Sequence, residues 1–171
     1  MNIYGYCRIS TAKQSIDRQI RNIRAEYPTA HIVQEAYTGT SIFRPEWLKL
    51  YRVLKSGDMV VFDSVSRMSR NAEEGFTLYE DLYHKGIRLV FLKEHHIDTE
   101  TYKKALSGSI AMTGTNVDFI LKGINEYLMA LAKEQIKLAF EQSEKEVADL
   151  HQRTREGLLT ARLNGKQVGR K

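Results

Sequence analysis

A hydroxyl and a guanidinium lie close together near the N-terminus of the sequence. The apolar run Ile3–Arg8 predicts a β-strand that delivers Ser10 at its carboxyl end, where open α/β sheets place their sites. Because side chains alternate along a strand, Arg8 points to the same side as Ser10. A cation beside a nucleophilic hydroxyl favours a phosphate ligand. The alternative is that Ser10 serves only in a turn or as a helix cap.

Three further arginines occur where strands or helices are expected to end or begin. Arg67 and Arg70 follow a strand-like apolar run and are three residues apart, so they would share one face of a helical turn. Arg44 immediately precedes Pro45, which predicts the start of a helix. With Arg8, these guanidiniums could clamp a phosphate, because each is planar, charged and able to donate several hydrogen bonds. Taken singly, such an arginine is more often an ordinary surface residue.

Signatures of several other catalytic classes are absent from the sequence. It has no Gly-x-x-x-x-Gly-Lys, Gly-x-Gly-x-x-Gly or Gly-x-Ser-x-Gly motif, which argues against NTPase, dinucleotide-binding and hydrolase functions. Glu35 and Asp63, both near strand ends, could together hold a magnesium ion as in metal-dependent nucleases, and this alternative stays open. His95 and His96 are interpreted as an exposed pair at a strand end. Cys7 lies inside an apolar strand and is predicted to be a buried packing residue.

The composition is that of a globular protein with a hydrophobic core. Of the 171 residues, 42% are hydrophobic and 27% are charged, and there is a single cysteine. One cysteine excludes an intramolecular disulfide framework. No apolar stretch approaches the roughly 18 residues of a membrane helix and no signal peptide is recognisable, so we expect a cytoplasmic protein without a membrane partner.

Short apolar runs alternate with amphipathic stretches from the N-terminus to about residue 95. This alternation predicts an α/β fold, with an open, mainly parallel sheet of about four to five strands and flanking helices. Helices are predicted to begin near Ile16, at Pro45 and near Phe76, and the third is expected to end at Gly86. The predicted strands are Ile3–Arg8, Ile32–Gln34, Met59–Phe62 and Ile87–Leu92.

A long helix is predicted to follow this domain. Apolar residues recur at steps of three or four from Ile136 to Ala161, and helical spacing already returns at Asn116. A helix of this length would project from a small domain unless a second chain packed on it, which predicts a dimer. We divide the chain into a catalytic domain at 1–132, with an inserted or extra helical element at about 99–132, a long dimerisation helix at 133–164 and a basic arm at 165–171.

Positive charge is concentrated at the carboxyl end of the chain. Residues 1–150 contain 20 basic and 20 acidic side chains, whereas the last 21 residues contain six basic side chains and one acid. A neutral body with a basic tail suggests a polyanion partner, although the helix dipole also favours cations at a helix end. The basic residues are Arg153, Arg155, Arg162, Lys166, Arg170 and Lys171.

These residues fall within spaced motifs that resemble those of the serine site-specific recombinases, which include resolvases, DNA invertases and large serine integrases. Tyr4–Thr11 resembles the family signature Gly-Tyr-x-Arg-x-Ser, and Ser66–Asn71 resembles its Asp-Arg-Leu-x-Arg block. The likeness covers most of the chain. It continues, in the family's order, through Gln14, Gln19, Thr38–Ser41 with Arg44, Arg153–Gly157 and Gly165–Lys171.

This resemblance implies a recombinase catalytic domain in which Ser10 attacks a DNA phosphate and forms a covalent 5′-phosphoserine link. The family needs no metal, ATP or other cofactor for this step. Fixed guanidiniums can stabilise the charge that develops on the phosphate oxygens. By the resemblance, this role falls to Arg8, Arg67, Arg70 and Arg44, and Gln19 positions the site.

The resemblance also implies the partners. These are a double-stranded DNA recombination site, a second copy bound through the long helix, and a tetramer in the synapse. The basic arm would lie along the minor groove and lead to a DNA-binding domain beyond this chain. The expected DNA contacts are Arg155, Arg162, Lys166, Arg170 and Lys171.

Two features depart from the family pattern. Ser66 stands where the family usually has aspartate before the paired arginines, so a catalytically impaired, DNA-binding or oligomerising protein is an alternative function. Residues 99–132 also exceed what a minimal resolvase has before its long helix, which hints at a phage or mobile-element relative. The sequence does not distinguish a resolvase, an invertase, an integrase or a transposase as the parent protein.

Overall fold

The fold is built on a parallel β-sheet of four strands. The computed structural model describes residues 1–9, 16–36, 44–107 and 110–165. Its strands are β1 (Ile3–Ile9), β2 (His31–Ala36), β3 (Met59–Phe62) and β4 (Arg88–Phe91), and they lie in the order β2-β1-β3-β4. Every neighbouring pair is parallel. The predicted open, parallel α/β sheet is therefore confirmed.

Six helices surround and extend this sheet in the described residues. Pro45 opens the second, as predicted, and the fourth is followed by Gly86, whose φ of 73° suits a glycine after a helix end. A short 3₁₀ turn, His95–Ile97, follows β4 and leaves His95 and His96 exposed, as predicted. The helices are α1 (Asp17–Glu26), α2 (Pro45–Val53), α3 (Val65–Met68), α4 (Ala72–His84), α5 (Thr99–Ser107) and α6 (Asp118–Leu163).

The side chains of β1 alternate between two hydrophobic cores. Tyr6 packs edge-on against Trp47 and Phe62 on one face of the sheet. Cys7 joins the core on the other face, which includes Ile23. Its thiol is fully buried, and burial raises the pKa of Cys7 to about 12. The prediction that Cys7 is a buried packing residue is confirmed.

The long helix begins earlier than the sequence indicated. It starts at Asp118 rather than at residue 133, and its 46 residues span about 70 Å. The Asp118 carboxylate accepts hydrogen bonds from the backbone N–H groups of Thr113 and Gly114, which fixes the turn before the helix. Only Ile136, Ala139 and Phe140 of α6 are buried. The apolar residues of the first turns have helical spacing but are exposed, so the spacing that returns at Asn116 did not by itself show that one continuous helix runs from there.

The segment 99–107, the first part of the inserted or extra helical element that the sequence suggested, forms α5. Thr99 anchors its start, because the Thr99 hydroxyl accepts a hydrogen bond from the backbone N–H of Leu89 in β4 at 2.9 Å. Tyr102 is its buried aromatic residue and packs on Tyr83 of α4.

Among the described residues, every helix is either too short or too polar to traverse a lipid bilayer.

Candidate active site

Arg8 lies at the carboxyl end of β1, and its side chain is fully buried. Its Nη2 donates to the carbonyl oxygen of Ser66 at 2.6 Å, and its Nε donates to that of Arg67 at 3.3 Å. The remaining nitrogen, Nη1, is buried without a hydrogen-bond partner among the described residues. Arg8 is thus locked to the backbone on one side and retains a donor for another group.

Arg44 reaches the same backbone segment from the start of α2. Its side chain is buried, and its Nη1 donates to the carbonyl oxygen of Met68 at 2.7 Å and more weakly to that of Arg67 at 3.4 Å. Arg8 and Arg44 therefore both bind carbonyls at the end of the short helix α3. Those carbonyls have no partners within the helix, so the arginines satisfy them.

Arg67 and Arg70 complete the group at this edge of the sheet. Nη1 of Arg67 donates to the carbonyl oxygen of Arg8 at 3.3 Å, and its buried Nε has no hydrogen-bond partner among the described residues. Burial lowers the pKa of Arg67, and burial together with the charge of Arg44 lowers that of Arg70. The structure thus brings the four arginines named in the sequence into one place.

The crowding of these cations creates a strongly positive site. Burial, followed by the charges of Arg44 and Arg70, lowers the pKa of Arg8 to about 9, so Arg8 remains charged at neutral pH. An opposite charge within a few ångströms would offset this repulsion. Clusters of perturbed ionisable groups are typical of functional sites. Phosphate is one of the anions that the planar fork of a guanidinium binds through paired hydrogen bonds.

Gln19 fixes the end of β1 from the adjoining helix α1. Its buried side chain accepts a hydrogen bond from the backbone N–H of Arg8 at 3.0 Å and donates one to the carbonyl oxygen of Arg8 at 2.9 Å. Both backbone groups of the residue are therefore satisfied by one amide. Ser10 is the second residue after Arg8 in the sequence, and β1 ends at Ile9.

Several residues singled out in the sequence lie outside the described residues, namely Ser10, Gln14, Thr38–Ser41, Lys166, Arg170 and Lys171.

The two carboxylates considered for a magnesium site do not face each other. Arg8 pairs with Glu35 across the sheet, whereas Tyr6 pairs with Phe62, so Asp63 points to the opposite side from Glu35. Among the described residues, no group of three His, Cys, Asp or Glu side chains could hold a metal ion. The geometry therefore argues against a magnesium site shared by these two acids.

Each of these acids has a structural partner instead. Glu35 accepts hydrogen bonds from the N–H groups of Glu46 and Trp47 at 2.8 and 3.1 Å, and so caps the start of α2 beside Arg44. Asp63 accepts one from Asn22 of α1 at 2.8 Å, and Lys93 lies 3.5 Å from its second oxygen.

Ser66 contributes to the site through its backbone. Its carbonyl oxygen accepts the shortest hydrogen bond from Arg8, and its hydroxyl shares a hydrogen bond with that of Ser64 at 2.8 Å.

Sequence reasoning missed Glu94, whose carboxylate accepts a hydrogen bond from the N–H of Val65 at 3.0 Å and holds the start of α3. The only sequence signal for it is an acid just after a strand.

The basic residues expected to contact DNA lie away from this site. Arg155 and Arg162 are exposed on the last third of α6, beyond the buried part of the helix. The structure therefore does not bring them to the four arginines. Their place on an exposed helix surface is compatible with a separate contact to a polyanion.

The family model for the resolvase N-terminal domain matches residues 3–137. The chain belongs to the resolvase family. A resolvase from Clostridium perfringens is 28% identical over 170 residues, which are 98% of this chain and 76% of that protein. The transposon Tn21 resolvase from Escherichia coli is 26% identical over 167 residues, 98% of this chain and 74% of that protein.

A solved serine recombinase from Sulfolobus solfataricus is also similar, with 19% identity and a TM-score of 0.46 over 75% of this chain and 98% of that one. The resemblance to the serine recombinases seen in the sequence is confirmed by the family match. This resolvase-family chain is a recombinase catalytic domain, and hence an enzyme.

Proposed function

We propose that this resolvase-family domain cleaves and rejoins DNA through a covalent 5′-phosphoserine at Ser10. The observation that supports this function best is the convergence of four arginines at the carboxyl end of β1, immediately before the serine. Nη1 of Arg8 and Nε of Arg67 are buried without a hydrogen-bond partner among the described residues, and such donors suit a phosphodiester that is changing its charge distribution.

In the proposed reaction, the Ser10 oxygen attacks the scissile phosphorus and loses its proton. The bond from phosphorus to the 3′ oxygen breaks, and that oxygen leaves as a 3′-hydroxyl after taking up a proton. Arg8, Arg67 and Arg70, with Arg44 beside them, stabilise the negative charge on the nonbridging oxygens. One phosphate ester replaces another, so the reverse attack by a 3′-hydroxyl reseals the strand without ATP or a metal ion.

Gln19 has a positioning role in this proposal. By holding both backbone groups of Arg8, it fixes the direction in which β1 delivers Ser10 and the depth at which the Arg8 guanidinium sits. Positioning of this kind lowers the barrier because the reacting groups need not be ordered during the reaction.

The proposed partners are a double-stranded recombination site and further copies of the same chain. A homodimer would form through α6, with a tetramer in the synapse. DNA would contact Arg155 and Arg162, and the arm with Lys166, Arg170 and Lys171.

A cytoplasmic location stays a prediction. The Tn21 relative is the product of a transposon, which favours a mobile-element origin.

A covalent-trapping assay tests the function. The chain is incubated in EDTA with supercoiled DNA carrying random inserts, the reaction is stopped with denaturant, and DNA that remains attached to protein is recovered and sequenced. We expect an adduct that Ser10→Ala abolishes and that Ser107→Ala, at an exposed serine of α5, retains. An adduct that required magnesium, or that survived Ser10→Ala, would contradict the proposal.

Ser66 supports one alternative function. If the aspartate usual at that position is essential, the protein would bind DNA and oligomerise without cutting it. In that case DNA would be bound but no adduct would form, even on the sites that the protein binds most tightly.

A further inference from the structure

The start of α4 is held by a side chain of the long helix. The Glu144 carboxylate of α6 accepts a hydrogen bond from the backbone N–H of Ala72, the first residue of α4, at 2.9 Å. The two residues are 72 positions apart in the sequence. This N–H is one of those that have no partner within a helix, so an acceptor from outside fixes it. A carboxylate is also favoured there by the helix dipole.

The residues next to this contact carry the candidate arginines. Only Ser69, Arg70 and Asn71 connect α3, which contains Arg67, with α4. The connection is itself tightly bonded, because the Ser69 hydroxyl donates to the carbonyl oxygen of Asn71 at 2.9 Å and accepts from its N–H at 3.1 Å. A displacement of the start of α4 would therefore move the backbone that places both Arg67 and Arg70.

The same face of α4 receives α6 at two further points. Phe140 packs so closely on Gly75 that a β-carbon at that glycine would lie 2.5 Å from its ring. Lys133 forms an ion pair with Glu80 at 3.2 Å. Glu144 lies one helical turn beyond Phe140, at the end of the docked segment that is nearest to the arginines. The contact between Glu144 and Ala72 therefore links α6 to the adjoining segment Arg67–Arg70, here called the arginine loop.

We infer that Glu144 is a positioning residue for strand cleavage, which holds the Arg67–Arg70 loop in place when α6 is docked on α4. This inference rests on the proposed function. It also goes beyond it, because it makes the docking of the long helix a condition for an ordered active site. A partner copy or DNA that shifted α6 would then change the placement of Arg70 without touching it.

The test compares three variants of the full chain in the trapping assay, on a DNA sequence recovered with the wild type. Glu144→Ala should slow adduct formation at saturating protein by about ten- to a hundredfold, as expected for a misplaced catalytic group, with DNA binding unchanged. Glu144→Gln keeps an oxygen acceptor and should restore most of the rate. Glu146→Ala is the matched control, since Glu146 is exposed on the same helix and has no hydrogen bond or ion pair among the described residues.

Hydrogen exchange on the protein alone gives the second readout. In Glu144→Ala, exchange should become faster at residues 70–74 but not in the middle of α4, and Glu146→Ala should leave both unchanged. An equal rate for Glu144→Ala and wild type, or an equal loss in the control, would overturn the inference while leaving the proposed function intact. The absence of any adduct with the wild type would instead overturn the proposed function, and the role of Glu144 in cleavage with it.

Discussion

At the scale of single residues, the site depends on how guanidiniums are placed rather than on how many there are. Arg8 is fully enclosed, yet two of its three nitrogens bind backbone carbonyls of the α3 segment. Burying a cation is costly unless it is hydrogen-bonded, so these bonds are needed for the charge to persist in the core. The planar fork of arginine is the shape that reaches both carbonyls at once.

Replacing Arg8 by lysine therefore removes more than one donor. We expect Arg8→Lys to slow adduct formation at saturating protein by about a hundredfold or more, since losing one donor to a developing oxyanion commonly has an effect of that size. The ammonium cannot reach the carbonyls of Ser66 and Arg67 together and still point toward the phosphate. Single-turnover trapping measures the rate. Arg52→Lys, at an exposed arginine of α2, is the control, and an unchanged rate for Arg8→Lys would show that charge alone suffices.

At the scale of elements, the site is an assembly of the ends of β1, α2 and α3, held against α4 and α6. The close approach of α4 and α6 depends on Gly75. A β-carbon there would lie 2.5 Å from the ring of Phe140 and 2.9 Å from Cβ of Ser69, and the Phe140 ring is buried. Glycine at this position therefore sets the distance between the helix that follows the arginine loop and the long helix.

Gly75→Ala should for this reason destabilise the protein although alanine is the better helix former. We expect a loss of about 1–3 kcal/mol in the free energy of unfolding, which is typical of overpacking. The matched control is Gly123→Ala in α6, because no atom lies within 4 Å of a β-carbon there. That variant should be neutral or more stable by up to about 1 kcal/mol. Urea unfolding of the wild type and both variants measures these free energies. If Gly75→Ala were as stable as the wild type, α6 would not pack on α4 as closely as the structure has it.

The elements differ in how well the sequence predicted them, for a physical reason. The strands of the sheet interior were predictable because both of their faces are buried, which gives continuous apolar runs such as Met59–Phe62. Pro45 marked α2 through its fixed φ. In contrast, the first part of α6 presents its apolar residues outward, so their spacing predicts a helix there without showing that it continues into the part of α6 that packs on the core.

The site was predictable in its residue types but not in its contacts. Four arginines could be named from motifs and from their positions at element ends. Which carbonyls they bind depends on the path of residues 64–71, and no local pattern encodes that path. The same holds for Glu94 and Glu144, which act on helix ends distant in the sequence. Such long-range capping has no periodic signal along the chain.

At the scale of the whole molecule, the most conspicuous feature is the apolar surface on the first turns of α6. Phe119 is 88% exposed, Tyr127 66% and Ile120 63%. One face of the helix carries apolar residues at steps of three or four, namely Ile120, Ile124, Tyr127 and Leu131. Exposed apolar patches of this kind mark association surfaces in soluble proteins. The proposed dimer would cover this surface, and it lies before residue 133, within the segment that the sequence suggested to be an inserted element.

If the dimer forms through this face, charge placed on it should separate the copies. The double variant Ile120→Glu with Tyr127→Glu is expected to sediment as a monomer of 19.7 kDa, under conditions in which the wild-type chain has twice that mass. Burying two carboxylates against apolar side chains is far more costly than the packing that they replace. Lys122→Glu changes the net charge by the same two units on the opposite side of the helix, and it should leave the dimer intact. A monomeric wild type, or a double variant that stays dimeric, would place any self-association elsewhere than on this face of α6.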